Sequence, residues 1–169
     1  DGGGKPNLFV IKIGGNIVDD EAALQSFLTN FATIKANKIL IHDGGKIATK
    51  IGDQLGIKSN YVNGRRITDA ATIDLVTMVY GGLVNKKIVA KLQALNCNAI
   101  GLTGADANII PASKRPVVLP STKDSGEMAE GSNNSPLGDG GIDYGFVGDI
   151  IPSRIGVESL QTLLSNNFT

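Results

Sequence analysis

Two short apolar runs, each closed by a pair of glycines and followed by a helical pattern, constrain the fold of this chain more than any other feature. The first run, "NLFVIKI" at 7–13, leads into Gly14-Gly15, and the second, "KILI" at 38–41, is followed shortly by Gly44-Gly45. Short β-branched runs predict buried strands, and the apolar spacing after each glycine pair predicts a helix. A repeated strand–helix order is typical of parallel strands joined by right-handed crossovers. The fold class is therefore α/β.

The strand–helix alternation continues as far as Pro116. In "YVNGRRI" the Asn63-Gly64 step predicts a β-hairpin. A long helical pattern follows from 68 to 95, and we expect it to break or bend at Gly81-Gly82, because glycine is a poor helix former. "NAIGLTGAD" at 98–106 then predicts a third strand that runs into a loop.

The pattern fails between residues 118 and 142, where Gly, Ser, Asn, Asp and Pro dominate. Such a composition cannot bury enough apolar surface to order the chain, so we expect a flexible insert. A short strand in "YGFVGDII" and a final helix in "GVESLQTLLSN" follow, with Val157, Leu160 and Leu164 on one face of the helix. A parallel pattern would place a further strand just after Phe168.

Charge and cysteine content narrow the function classes. The chain carries 16 basic and 16 acidic side chains, so no net positive charge attracts nucleic acid or an anionic membrane surface. No apolar stretch approaches the length of a membrane span, and the amino terminus lacks a signal-peptide core. The one cysteine, Cys97, is expected to be a small buried apolar residue rather than a reactive thiol. We expect a cytoplasmic protein without a nucleic-acid or membrane partner.

Each glycine pair lies where parallel sheets bind ligands, beyond the carboxyl end of a strand and before a helix. Glycine lets backbone N–H groups approach an anion, and a helix amino terminus adds partial positive charge, so a phosphate or a carboxylate would fit. A single Gly-Gly pair is more often only a tight turn. Lys12 strengthens the case, because a lysine inside an apolar strand either extends to solvent or meets an anion in a cleft. A third junction contains Gly101 and Gly104.

Other polar residues carry weaker signals. Arg65 and Arg66 follow the hairpin turn, where arginine can bind a carboxylate through two hydrogen bonds but is more often solvated. Asp69, Asp74 and Asp106 could bind a cation, yet their positions favour solvation or capping. With no Gly-x-x-x-x-Gly-Lys-Ser/Thr loop, no Gly-x-Ser-x-Gly elbow and a single histidine, the sequence gives no motif for a hydrolase or a His-rich metal site.

Four longer segments carry a family resemblance. They are "VIKIGGNIV", "ILIHDGGKIATKIGDQLGI", "YVNGRRITDAATIDLVTMVYGGLVNKKIVAKLQ" and "AIGLTGADANII". In order, spacing and content they resemble the amino-terminal half of the acetylglutamate kinases of the amino acid kinase family, over 6–116 and again from 144 to 169. The resemblance implies a three-layer α/β/α sandwich around a mostly parallel central sheet. Residues 1–169 would then be the acylglutamate-binding domain of such a kinase.

The activity implied by the resemblance is transfer of the γ-phosphoryl group of ATP to the side-chain carboxylate of N-acetyl-L-glutamate, a step of arginine biosynthesis. Mg²⁺ would be bound mainly through ATP, with no metal site of the chain's own. A homodimer is also implied, with the long helix after Thr68 as a candidate surface. On that helix Met78, Val79 and Leu83 are more simply explained as core residues.

The resemblance also implies roles for individual residues. Lys12 looks like the lysine that neutralises charge on the transferred phosphoryl group, assisted by the backbone N–H groups of Gly14 and Gly15. Gly44 and Gly45 resemble the glycines whose backbone receives the acylglutamate. Arg66 resembles the arginine that holds the α-carboxylate of this substrate.

Three departures from the family pattern carry expectations of their own. The family motif His-Gly-Gly-Gly has Asp43 at its first glycine, which places a carboxylate beside a site for a dianion and is expected to strain the backbone there. Residues 118–142 have no counterpart in the family. The carboxy-terminal half that supplies the family's nucleotide pocket has no match here, so we expect this chain alone to bind ATP poorly and to turn over little or not at all.

Two alternatives stay open from the sequence. The acceptor could be a related molecule, such as N-succinylglutamate, carbamate or aspartate. The chain could instead serve as a ligand-binding or dimerising half without catalysis.

Overall fold

The computed structural model describes residues 7–118 and 141–169. The first part has the predicted β-α-β-α order, and its elements are β1 (Leu8–Ile13), α1 (Gly15–Asp19), α2 (Glu21–Thr33), β2 (Asn37–His42) and α3 (Ile47–Gln54). β1 and β2 pair in parallel, from Leu8 opposite Asn37 to Ile13 opposite His42. The predicted parallel strand pair is confirmed, and the ends of both strands meet at one edge of the sheet.

The later elements form two antiparallel strand pairs and a long helical stretch. They are β3 (Asn60–Val62), β4 (Arg65–Ile67), α4 (Ala70–Val76), a π-helical segment (Thr77–Val84), α5 (Asn85–Ala94), β5 (Ala112–Lys114), β6 (Gly148–Ile150) and α6 (Val157–Ser165), with 3₁₀ turns at Asp106–Asn108 and Pro152–Arg154. β3 pairs with β4 and β5 with β6. The predicted hairpin turn is confirmed, with φ of 50° at Asn63 and 72° at Gly64, as two-residue turns of this kind require.

Apolar side chains from β1, α2, α3 and the long helical stretch form one core. Its buried members are Ile13, Leu24, Leu28, Phe31, Ala48, Leu75, Val79, Val84, Ile88, Leu92, Cys97 and Ala99. The predicted buried role of Cys97 is confirmed. Val157, predicted on the apolar face of the final helix, is exposed at the start of α6, and so is Leu55 just after α3. Both lie at the end of a helix, where periodicity alone does not tell whether a neighbour covers the side chain.

The helical stretch from α4 to α5 changes its turn width rather than breaking at Gly81-Gly82. Apart from Asn85, its buried residues are Thr72, Leu75, Val79, Val84, Ile88 and Leu92. They recur every three or four positions except across the π-helical segment, where Val79 and Val84 are five apart. A π turn accommodates that extra residue and keeps both ends facing the core. Val79 is core as expected, but Met78 and Leu83 are 57% and 48% exposed, so the core interpretation of these two is wrong.

The predicted third strand at 98–106 is not a strand within the described residues. Its main chain instead meets the last residue, because Ile100 N–H donates to the Thr169 carbonyl at 2.9 Å and Thr169 N–H donates to the Asn98 carbonyl at 2.8 Å. A cavity of about 530 Å³ is lined both by residues 39–42 of β2 and by 99–104, together with apolar side chains of α5 and α6. A strand needs a hydrogen-bonded neighbour along its length, and across this cavity residues 98–104 have none.

The predicted flexible insert at 118–142 lies almost wholly outside the described residues. Its first and last residues are described, and they exchange backbone hydrogen bonds: Val118 N–H donates to the Ile142 carbonyl at 3.0 Å and Ile142 N–H donates to the Val118 carbonyl at 2.8 Å. Among the helices of 7–118 and 141–169, none is both long and apolar enough to cross a bilayer.

The carboxyl end of α2 is capped by a buried lysine. Lys38, on β2, is 5% exposed. Its ammonium donates to the carbonyls of Phe31, Ala32 and Ile34 at 3.0, 3.4 and 2.8 Å. It also lies 5.0 Å from the centre of the Phe31 ring. The last carbonyls of a helix have no partner inside the helix, and a cation there also complements the helix dipole. This lysine therefore joins α2 to the strand that carries the second glycine turn.

Replacing Lys38 by methionine keeps the buried length of the side chain and removes all three donors. We expect Lys38→Met to lower the free energy of unfolding by about 1 to 3 kcal/mol, because buried carbonyls lose charged partners. Urea denaturation measures the change. The exposed Lys35→Met is the matched control and should stay within about 0.5 kcal/mol of wild type. Equal losses in both variants would contradict a capping role.

A second charged contact joins α2 to α5. The Glu21 carboxylate accepts from Lys87 at 2.7 Å and lies 2.6 Å from Lys91. Hydrogen bonds from Lys87 and then Lys91 lower the pKa of Glu21 from 4.5 to about 2. A carboxyl whose pKa is lower in the folded than in the unfolded state stabilises the fold at any pH above its unfolded-state pKa. This stabilisation is lost as the pH falls through the folded-state pKa. Because the carboxylate is 60% exposed, solvent screens much of this effect.

We therefore expect Glu21→Gln to be less stable than wild type near neutral pH and to approach it as pH falls from 4.5 towards 2. Denaturation curves at stepped pH measure the difference. The gap should also narrow in 1 M salt, since exposed pairs are screened. A stability difference between wild type and Glu21→Gln that grows on acidification would contradict the stabilising role of the Glu21 carboxylate.

Candidate anion-binding site

The backbones of the two predicted glycine turns touch each other. A Cβ atom added to Gly15 would lie 2.7 Å from the Cα of Gly45, closer than side chains tolerate. Gly45 also has a φ of +59°, in the left-handed region that favours glycine. Parallel pairing of β1 and β2 brings the turns to one edge of the sheet, and the missing side chains let them close together. Gly14 immediately precedes α1 and is open, with no heavy atom within 4 Å of an added Cβ.

The Asp19 carboxylate caps the start of α3. Asp19, at the end of α1, accepts the Lys46 backbone N–H on both oxygens, at 3.0 and 2.9 Å. A Cβ on Gly45 would overlap this carboxylate. Lys46 immediately precedes α3, so Asp19 satisfies one of the N–H groups that a helix leaves unpaired at its positive end. The two turns are thus joined by a hydrogen bond as well as by backbone contact.

The π-helical segment contributes an aromatic wall. A Cβ on Gly44 would overlap the Tyr80 ring, and Gly44 is buried. Only glycine lets the end of β2 pass this ring. The glycine at position 44 therefore serves packing against Tyr80, whereas that at 45 serves the turn conformation.

Lys12 and Asp43 form an ion pair beside the turns. The ammonium donates to Asp43 Oδ2 at 2.6 Å, and both side chains are more than half exposed. Asp43 N–H donates to the Ile13 carbonyl at 3.2 Å, which extends the ladder by one residue beyond β2. Asp43 is not among the described residues with positive φ, so the expected backbone strain at this position is wrong. The extended ladder accepts aspartate as readily as glycine.

Arg66 is held between the hairpin and α3. It lies opposite Tyr61 in the β3–β4 ladder. Its Nη2 donates to the Tyr61 hydroxyl at 2.9 Å and to Thr49 Oγ1 on α3 at 2.8 Å, and its Nε donates to Tyr61 at 3.3 Å. Burial opposes the charge on Arg66, but the hydroxyls of Tyr61 and Tyr80 outweigh it and raise the pKa of the guanidinium. The same hydrogen bond from Arg66 lowers the pKa of Tyr61. Arg66 therefore stays charged next to the helix that the Gly44-Gly45 turn begins.

The third glycine junction, at Gly101, is occupied by the side chain of Asn85. Asn85 Nδ2 lies 3.3 Å from His42 Nε2 and donates to the Leu102 carbonyl at 3.4 Å. Its Oδ1 is buried without a hydrogen-bond partner among the described residues. A Cβ on Gly101 would overlap this oxygen. Gly101 is therefore needed for packing against Asn85.

The structure brings five of the six predicted site residues, Lys12, Gly14, Gly15, Gly44 and Gly45, to one edge of the β1–β2 sheet. The sixth, Arg66, contacts the helix that begins there. Two of the weaker candidates, Asp69 and Asp106, have the structural roles that the sequence favoured. Asp69 caps α4 by accepting from Thr72 N–H at 2.8 Å, and Asp106 accepts from the Thr103 N–H and hydroxyl at 2.6 and 2.8 Å. These hydrogen bonds lower the pKa of both carboxyls.

Three residues of the site, Asp19, Thr49 and Tyr80, could not be predicted from the sequence. Asp19 and Asp20 are adjacent carboxylates in the local pattern, and only Asp20 caps α2. Tyr80 and Thr49 carried no signal, because their relation to Gly44 and Arg66 depends on how distant elements pack.

This is an α/β protein whose parallel strands bring a lysine and two glycine turns to one edge of the sheet. The sequence matches the Amino acid kinase family over residues 7–166, and the chain belongs to that family. It is 53% identical over 162 residues to the acetylglutamate kinase of Cytophaga hutchinsonii, covering 96% of this chain and 53% of the relative. It is 54% identical over 146 residues to that of Bacteroides fragilis, covering 86% and 48%. The chain spans about half the length of these curated relatives.

Solved structures show the same fold at low sequence identity. That of smu.665 from Streptococcus mutans UA159 has a TM-score of 0.66 at 22% identity, covering 95% of this chain and 56% of that one. The N-acetylglutamate synthase of Neisseria gonorrhoeae, complexed with coenzyme A and N-acetyl-glutamate, has a TM-score of 0.61 at 16% identity, covering 95% and 32%. The predicted amino acid kinase-like α/β fold is confirmed.

Because the turns are in contact, alanine substitutions at the two neighbouring glycines are expected to differ in their effect on stability. Gly15→Ala should lower the free energy of unfolding by about 1 to 3 kcal/mol, because its Cβ meets the backbone of Gly45. Gly14→Ala should stay within about 0.5 kcal/mol, since it has a φ of −86° and open space around it. Urea denaturation of the two variants provides the comparison. Equal effects would show that the turns do not touch in solution.

Proposed function

We propose that this chain is part of an ATP-dependent kinase that phosphorylates the side-chain carboxylate of N-acetyl-L-glutamate, the step expected in arginine biosynthesis. The observation that carries the proposal is the convergence of Lys12 with two touching glycine turns at the ends of parallel strands. The high identity to proteins named acetylglutamate kinase supports the choice of acceptor.

In this proposal Lys12 meets the phosphoryl group. Its ammonium projects from β1 towards the turn at the end of β2, and the side chain is 55% exposed, so an anion can reach it. Phosphoryl transfer depends mainly on positioning and on neutralising the charge of the oxygens around phosphorus. The N–H groups of Gly14 and Gly15 in the first turn would add hydrogen bonds to the same oxygens.

Arg66 meets the α-carboxylate of the acceptor. Its described hydrogen bonds use Nε and Nη2, and Nη1 makes none within residues 7–118 and 141–169. The hydroxyls that hold the guanidinium fix its plane without neutralising its charge. An acceptor whose α-carboxylate is held beside the turn at Gly44 and Gly45 would then have its side-chain carboxylate directed towards Lys12.

Mg²⁺ would arrive with ATP and would offset the negative charge of its phosphates. The residues at the turns do not form a cage for it. Asp19 is bonded to the Lys46 backbone and Asp43 to Lys12. No group of three or more possible ligands occurs within the described residues. We assign no step to residues holding the metal.

The proposal includes a homodimer in the cytoplasm. Met78 and Leu83 are large, apolar and exposed on the π-helical segment, which suits a contact with a second copy. The free, buried Cys97 is consistent with a reducing compartment.

The test uses the protein from the complete reading frame that contains these residues, in an ADP-release assay with N-acetyl- and N-succinyl-glutamate. We expect ATP-dependent turnover, faster on the acetyl acceptor, and little or none from the 169-residue chain alone. Arg66→Lys should raise KM for the acceptor by about 10- to 100-fold, since a charged hydrogen bond is worth about 1.5 to 3 kcal/mol, and leave KM for ATP unchanged.

Arg65→Lys is the matched control for Arg66→Lys, because Arg65 is an exposed neighbour on the same strand. It should leave both KM values near wild type. Faster turnover on the succinyl acceptor would move the assignment to that substrate. Absence of turnover on every acylglutamate would refute the kinase proposal. Sedimentation of the same preparation reports whether a dimer forms.

A further inference from the structure

We propose that Asp43 is a positioning residue that holds the Lys12 ammonium when no anion is bound, and that a polyphosphate binds by displacing this carboxylate. The inference rests on the proposed function, which assigns Lys12 to the phosphoryl group. It adds that the chain carries its own competitor for that lysine.

The pair is built by strand register. Lys12 lies opposite Ile41 in the β1–β2 ladder, and Asp43 is two residues further along the same strand direction. Residues two apart on a strand point to the same face, so Asp43 is the diagonal cross-strand neighbour of Lys12. The Asp43 N–H bond to Ile13 fixes this placement. The 2.6 Å contact therefore follows from the backbone.

The contact is also one that a ligand can replace. Lys12 and Asp43 are 55% and 56% exposed, and within the described residues neither side chain has another polar partner. Exposed pairs of this kind contribute little net stability, because water screens them and two side chains are immobilised. Asp19 differs, since both its oxygens bind a backbone N–H and a ligand would have to break the joint between the turns.

The pair selects the class of anion that binds. A small monovalent anion carries the same single negative charge as the Asp43 carboxylate, so it has no electrostatic advantage in binding the Lys12 ammonium. A phosphate chain carries several negative charges and can also use the N–H groups of the first glycine turn. Asp43 thus lowers the affinity of the site for anions in general and leaves polyphosphates as the ligands able to displace it.

Isothermal titration of the complete protein with the non-transferable analogue AMPPNP and Mg²⁺, at low ionic strength, tests this role. Asp43→Asn should lower Kd by about two- to fivefold, the range of an exposed ion pair. Asp43→Glu keeps the charge and should bind close to wild type. Asp143→Asn is the matched control, because Asp143 also forms an exposed pair with a lysine, Lys114, at 3.2 Å. It should leave Kd unchanged.

A double-mutant cycle separates positioning from direct repulsion. If Asp43 acts through Lys12, Asp43→Asn should have no effect in a Lys12→Met background. An equal gain in both backgrounds would show that Asp43 simply repels phosphate, and would overturn the proposal. An unchanged or raised Kd for Asp43→Asn, or no AMPPNP binding by any variant, would overturn it too.

Turnover of the wild-type protein distinguishes this inference from the proposed function. If Asp43→Asn tightens AMPPNP binding through Lys12 while no acylglutamate is phosphorylated, the positioning role stands and the acceptor assignment fails. If acylglutamate is phosphorylated and Asp43→Asn leaves Kd unchanged, the kinase assignment stands and the positioning role fails.

Discussion

The backbone contact between Gly15 and Gly45 sets the spacing of everything at this edge of the sheet. Parallel pairing of β1 and β2 ends both strands at the same level, but only the missing side chains let the two turns meet. The Asp19 carboxylate reaches the start of α3 because the turns are in contact. Any side chain at either glycine would separate the strand that carries Lys12 from the turn it faces. Proximity here is a packing property before it is an electrostatic one.

The polar groups of the site already have partners inside the chain, and they differ in how firmly they are held. Lys46 N–H is bound by both oxygens of Asp19, and Arg66 by hydroxyls that preserve its charge. Lys12 has a single exposed carboxylate partner. Among these contacts the one with fewest bonds and most solvent is the one a ligand exchanges at least cost. The chain thus combines fixed and replaceable charges within one small region.

Local pattern was enough to predict the strand–turn–helix units, the hairpin and the convergence of Lys12 with both glycine pairs, because periodicity and glycine position are local properties and parallel pairing follows from their order. It could not predict that Tyr80 packs on Gly44 or that Asp19 reaches Lys46, since these contacts depend on the packing of elements distant in sequence. The prediction of a third strand was wrong for a related reason. The sequence around Ala99 and Ile100 is typical of a strand, but whether a segment pairs with a neighbour depends on tertiary structure. Exposure of Met78 and Leu83 was hidden by a helix whose phase changes midway.

That change of phase gives the π-helical segment a geometric role. Each residue of an ordinary helix advances the side-chain direction by about 100°, so one extra residue in a wide turn resets the orientation of α5 relative to α4. With this change in side-chain direction, Val79 on the amino-terminal side lies in the core and Asn85 on the carboxy-terminal side lies beside His42. The number of residues between these two positions is consequently a stricter constraint than their identity. Loss or gain of one residue there would swing α5 about its axis and carry Asn85 away from the end of the strand, while many substitutions would leave the angle intact.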